Sequence, residues 1–134
     1  MTALLELSGV TAFYGASQAL FGIDLSLNEG EAVALMGRNG MGKTTTIKTI
    51  CRMMEHRDGS IRFAGQDLAK MPSHKAACLG LGLVPEGRRC FARLSVMENL
   101  IAAARPGEWD FDRVAGLFPR LAERRDQKAM TLSG

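Results

Sequence analysis

The chain has 134 residues, enough for one domain with a real hydrophobic core, since chains of this size bury roughly two-thirds of their unfolded surface. Hydrophobic residues make up 46% and charged residues 23%, which excludes disorder and a membrane-embedded protein, and no run of about 18 apolar residues offers a bilayer span. The net charge of +3 is spread along the chain rather than gathered into one block, so it reads as a solvated basic surface and no nucleic acid is expected as a partner.

The N-terminus has no basic stretch followed by an apolar one, so no secretory signal is expected and the chain is placed in the cytoplasm. Cys51, Cys78 and Cys90 are odd in number and widely spaced, without a C-x-x-C pair or a nearby histidine cluster. They are expected to be reduced and mostly buried.

In chain order, Leu4 to Val10 partly alternates apolar and polar residues and predicts a strand, and Leu20 to Leu27 predicts a second. Asn28-Glu29-Gly30-Glu31 reads as a tight turn. It leads into Ala32-Val33-Ala34-Leu35-Met36, an uninterrupted apolar run of the kind found in strands buried on both faces. A glycine-rich loop follows. Lys43 to Met54 then has helical periodicity, with Ile47, Ile50, Cys51 and Met54 on one face.

Asp58-Gly59 turns the chain into Ser60-Ile61-Arg62-Phe63, and Ala64-Gly65-Gln66-Asp67 turns it out again as a short hairpin. Pro72 to Leu79 predicts a helix with proline in its first turn, and Gly82-Leu83-Val84-Pro85 a core strand ended by the proline. Ser95-Val96-Met97-Glu98 is a capping box that should open a helix running through Ala104. Phe111 to Leu117 and Arg120 to Arg125 predict further short helices.

The loop carries the chemistry. Gly37, Gly42, Lys43 and Thr44 match G-x-x-x-x-G-K-[ST], and each residue type answers a need of a triphosphate. Glycines let the backbone curl its N–H groups toward phosphate oxygens, Lys43 supplies a cation, and the Thr44 hydroxyl can ligate Mg²⁺. The helix opening at residue 43 adds its positive dipole end. A chance glycine-rich turn would not be flanked by a buried-type strand and an amphipathic helix, so nucleoside triphosphate binding is expected.

Other segments narrow the class. Phe13-Tyr14-Gly15, Ala19-Leu20, Gly22-Ile23, Gly30-Glu31 and then Gly37-Arg38-Asn39-Gly40-Met41-Gly42-Lys43-Thr44-Thr45 together resemble the ATP-binding subunit of an ABC transporter. Glu86-Gly87-Arg88-Arg89-Cys90-Phe91, Leu94 to Leu100 and Leu117 to Leu121 are similar to the subgroup that energises uptake of branched-chain amino acids. The resemblance runs over essentially the whole chain.

That resemblance implies an α/β P-loop NTPase core with an N-terminal antiparallel β subdomain over residues 1–94. The start of a helical subdomain would occupy 95–134, and the chain would be the N-terminal part of a longer subunit. It implies ATP and Mg²⁺ as ligands, held by Gly37, Arg38, Asn39, Gly40, Met41, Gly42, Lys43, Thr44 and Thr45. Tyr14 would stack on adenine, a task suited to a flat ring. Glu86 stands where the family has a glutamine, and with Thr44 it would face the metal. Leu132-Ser133-Gly134 resembles the opening of the family signature, so Ser133 and Gly134 would touch a nucleotide held by a second subunit.

The catalytic residues of the family follow the signature, so none is assigned in this chain and by itself it is expected to be inactive. The neighbouring strands of the central sheet would also follow it, leaving an open apolar edge. The implied partners are a second ATP-binding subunit, transmembrane permease subunits that would dock near Arg88 and Arg89, and indirectly a periplasmic or extracellular substrate-binding protein. The implied location is the cytoplasmic face of the inner membrane. The alternatives are a soluble ABC-type ATPase acting on nucleic acid or ribosomes, and a non-catalytic nucleotide-binding module.

Overall fold

In β1 (Leu5–Tyr14) the buried residues are Leu5, Leu7, Val10 and Ala12. Strand alternation puts every second residue on one face, so the step from Leu7 to Val10 requires an extra residue. A register irregularity between Leu7 and Val10 supplies it, with the Gly9 N–H turned aside to donate to Asp24 Oδ1 at 2.7 Å. The computed structural model describes residues 3–87 and 89–132 of the chain.

β1 pairs antiparallel with β2 (Ser17–Leu27) as one hairpin whose last pair is Tyr14 with Ser17, so both strands run further toward the turn than their apolar cores predict. On its other edge β1 pairs with β3 (Ser60–Phe63), which pairs with β4 (Gln66–Asp67), and the sheet order is β2-β1-β3-β4. The hairpin expected over residues 60–67 is therefore present. Leu5, Leu7, Val10, Ala12 and Leu20 form the core with Ile61, Phe63, Leu68 and Ile50. Burial of that apolar surface, at about 25 cal/mol per Å², holds the unit together.

α1 (Lys43–Ile50) begins at the predicted residue and stops four residues before Met54. Its end is a Schellman arrangement: Met53 N donates to Lys48 O at 2.8 Å and Arg52 N to Thr49 O at 3.2 Å, with Arg52 left-handed at φ 60. The buried face is Thr45, Thr46, Thr49 and Ile50; of the predicted apolar stripe Ile50 is buried and Met54 packs against the core from beyond the helix end, whereas Ile47 is exposed. Threonines tolerate this burial because Thr46 Oγ1 donates to Gly42 O and Thr49 Oγ1 to Thr45 O, each at 2.7 Å. α2 (Ser73–Cys78) follows Pro72 as predicted.

Two expected strands are absent. Residues 32–36 and 82–85 have no regular structure and are exposed, Met36 at 88% and Val84 at 96%. An apolar run becomes a doubly buried strand only when neighbours bond its backbone on both edges. Among the described residues no strand adjoins either run. The cysteines are free, as expected of reduced thiols, but they are not mostly buried: Cys51 is half-buried, whereas Cys78 and Cys90 are exposed.

The chain divides into two compact units, Met1–Leu83 and Val84–Gly134. The second unit contains α3 (Val96–Ile101), α4 (Phe111–Leu117), α5 (Pro119–Glu123) and a short 3-10 helix, Ala129–Thr131. Ser95 caps α3 by accepting from Glu98 N at 3.1 Å, as the capping box predicts, although the helix ends at Ile101 instead of Ala104. Val96 is its one buried apolar residue among those described.

Candidate functional site

The turn before the loop is fixed by the Glu31 carboxylate, which accepts from Asn28 N at 2.8 Å and Asn28 Nδ2 at 3.1 Å. These bonds lower the Glu31 pKa below its ordinary value, although the group is exposed. The chain then reaches the loop, where Met41 N donates to Arg38 O at 3.2 Å.

Gly42 joins loop to helix in a left-handed conformation at φ 90. A Cβ there would lie 2.9 Å from Leu20 Cδ2 and 3.2 Å from Ala19 O, so only glycine lets the loop sit this close to β2. No side chain caps α1, and its first turn holds no acidic residue. The first backbone N–H groups of a helix have no intrahelical acceptor, so this end is disposed to receive oxygens of an anion.

Lys43 Nζ donates to Gly37 O, folding the ammonium back across the loop. Three threonines then divide their hydroxyls. Thr44 is exposed and its hydroxyl bonds no described residue, Thr45 is buried with its hydroxyl 3.2 Å from Tyr14 Oη, and Thr46 bonds back to Gly42. Of the three, Thr44 alone leaves its hydroxyl without a partner among the described residues, and a hydroxyl oxygen is the type of ligand that hard cations take. Tyr14 is 50% exposed at the end of β1.

The structure thus brings Tyr14 together with the loop and α1 within the first unit. Glu86 lies exposed on a turn of the second unit. Arg88, Ser133 and Gly134 lie outside the described residues. Among the described residues no group of three His, Cys, Asp or Glu side chains is arranged to hold a metal ion. No helix among them is long and apolar enough to cross a membrane.

No pattern along the chain signals that Thr45 meets Tyr14, because 31 residues separate them and neither lies in the other's local motif. Sequence reasoning likewise missed Arg52, whose Nε donates to Met71 O and whose Nη1 meets His56 Nδ1, both at 3.1 Å. Its position just after a helix that stops without glycine was the available signal.

A glycine-rich loop opening a helix behind an antiparallel sheet defines an α/β phosphate-loop fold. The ABC transporter family model matches residues 20–134, and the chain belongs to that family. It is 40% identical, over 98% of its length, to BraG, a high-affinity branched-chain amino acid transport ATP-binding protein of Pseudomonas aeruginosa, and covers 58% of that protein. It is 33% identical over 74% of its length to LptB, a lipopolysaccharide export system ATP-binding protein of Haemophilus influenzae, and covers 41% of it. The solved ATP-binding subunit of an ABC transporter matches with a TM-score of 0.82 at 32% identity, covering 97% of this chain and 56% of that one. The chain therefore spans about half the length of the proteins it matches.

Proposed function

We propose that the chain is part of an ATP-binding subunit that couples ATP binding and hydrolysis to import of branched-chain amino acids through a membrane permease. The observation that carries nucleotide binding is the loop itself: an uncapped helix start, a lysine folded across it and one free hydroxyl at Thr44. The cargo rests on similarity to BraG, whereas a relative such as LptB serves lipopolysaccharide export.

In this proposal the N–H groups of Gly40 to Thr45 wrap the phosphates, Lys43 leaves Gly37 O for the β- and γ-phosphates, and Tyr14 stacks on adenine. Thr44 would hold Mg²⁺, which when bound would supply positive charge against the phosphates. Ser133 and Gly134 face the nucleotide of a second ATP-binding subunit. The pair works at the cytoplasmic face of the inner membrane, on permease subunits supplied by a periplasmic or extracellular substrate-binding protein.

Titration calorimetry with Mg²⁺ and ATP tests the binding step. The wild-type chain should bind, and Lys43→Ala should lose at least about tenfold in affinity, because charge-assisted bonds to phosphate are worth about 1.5–3 kcal/mol. Phosphoryl transfer is mostly positioning of water, metal and phosphate, and no residue of this chain is assigned to orient the water, so the 134-residue chain should not turn ATP over. Lys43-dependent phosphate release would refute that. Co-purification with a permease, and leucine uptake that depends on Lys43 in cells, test the transport role. RNA-stimulated hydrolysis would favour an ATPase acting on nucleic acid or ribosomes instead.

A further inference from the structure

Tyr14 is fixed at both ends. Its backbone pairs with Ser17 at the tip of the β1–β2 hairpin, and its hydroxyl bonds Thr45 Oγ1 on the first turn of α1 at 3.2 Å. A tyrosine has two rotatable bonds, so holding Cα and Oη leaves little but rotation about the ring's long axis. The ring is nevertheless 50% exposed, while Thr45 is 7% exposed. The hydroxyl end is anchored and half of the residue's surface remains accessible. Thr44, one residue earlier, is exposed with a free hydroxyl, so adjacent threonines point one hydroxyl to solvent and the other to the ring.

We propose that Thr45 is a positioning residue for Tyr14: its hydroxyl fixes where the ring stands relative to the phosphate loop, so that ring and loop together gauge an aromatic base carried at fixed distance from a triphosphate. This rests on the nucleoside triphosphate reading of the loop. The sheet carries the ring and the helix start carries the phosphate cradle. The separation of the two is set by packing between β2 and Gly42, where Leu20 abuts the loop, and by this one hydrogen bond. Without the bond the ring keeps its stacking surface and loses its fixed place. The loss is felt by a ligand that has a base, and not by one that is only phosphate. A bond with a purely structural purpose would affect both ligands alike.

The test is calorimetric titration of the full chain with Mg²⁺ and either ATP or inorganic tripolyphosphate, in wild type, Tyr14→Phe, Thr45→Val, Thr45→Ser and the Tyr14→Phe/Thr45→Val double variant. Tyr14→Phe should weaken ATP about three- to tenfold, the range expected for one partly buried neutral hydrogen bond, and leave tripolyphosphate unchanged. The Tyr14→Phe loss should vanish in the Thr45→Val background and persist beside Thr45→Ser, which keeps the hydroxyl. An unchanged ATP affinity in Tyr14→Phe, an equal loss for both ligands, or the same loss in the Val background would overturn the proposal. If Thr45→Val does not fold, the ATP-against-tripolyphosphate split in Tyr14→Phe decides alone. Wild type that binds neither ligand would remove the nucleotide reading itself, and wild type that binds both with a silent Tyr14→Phe removes only the positioning role.

Discussion

Arg52 occupies a left-handed backbone conformation that costs a non-glycine residue about 1–2 kcal/mol, and it closes α1 where glycine is the usual choice. Its side chain offsets the strain through the bonds to Met71 O and His56 Nδ1. Two substitutions separate these effects. Arg52→Ala keeps the strain and loses both bonds, so it should destabilise by about 1–3 kcal/mol, whereas Arg52→Gly relieves the strain while losing the bonds and should be close to neutral. Urea unfolding of the two variants checks the order.

His56 gives the same cluster a pH dependence. Burial, followed by the Arg52 charge, lowers its pKa below the ordinary 6.5, with Asp67, the Gly59 carbonyl and Glu55 acting in the opposite direction. A histidine depressed in the folded state binds its proton more readily in the unfolded chain. The neutral ring's contribution is therefore complete above about 6.5 and is lost as pH falls from there toward the folded value. Stability should decline over that window in wild type and less steeply in His56→Gln, as read from urea midpoints at successive pH values.

At the scale of elements, the turn into β3 sits against the irregularity of β1 with no space to spare. Gly59 has φ 85, and a Cβ on it would lie 2.4 Å from both Ser8 O and Gly9 O, which are backbone atoms that cannot swing away. Gly59→Ala combines that clash with left-handed strain, so it should cost more than about 2 kcal/mol and separate Thr11 from its paired bonds to Arg57 and Asp58. Chemical denaturation with amide exchange at Thr11 measures both.

In the second unit Asn99 performs the comparable task for a loop. Its Oδ1 accepts from Phe91 N at 2.8 Å while Nδ2 donates to the carbonyls of Phe91, Leu94 and Ser95. Asn99→Asp retains the acceptor and turns an anion toward three carbonyl oxygens, so a loss of about 2 kcal/mol in that unit is expected from urea unfolding.

For the molecule as a whole, the apolar interior is unevenly distributed. The first unit buries a cluster from Leu5 to Leu68, whereas among the described residues the second buries Val96 and leaves Trp109, Leu117 and Phe118 more than half exposed. Local opening free energy follows buried apolar contacts. Amides of α3, α4 and α5 should therefore exchange faster than those of β1 and β3 in native-state hydrogen exchange, and uniform protection would contradict the division.

What the sequence determined by itself is local. The phosphate loop, the Ser95 cap, the Pro72 helix start and the 60–67 hairpin each depend on residues within a few positions of one another, and the loop together with segments such as Phe13-Tyr14-Gly15 and Glu86 to Phe91 carried the resemblance that led to the family. The tertiary structure decided whatever needs a distant partner. Residues 32–36 and 82–85 have the composition of core strands but, among the described residues, no adjoining strand, so their apolar side chains stay in solvent. α1 buries threonines instead of Ile47 because its packing against the sheet, rather than its periodicity, chose the face. The contact between Tyr14 and Thr45 exists because the hairpin ends beside the start of α1, and no spacing along the chain encodes that distance.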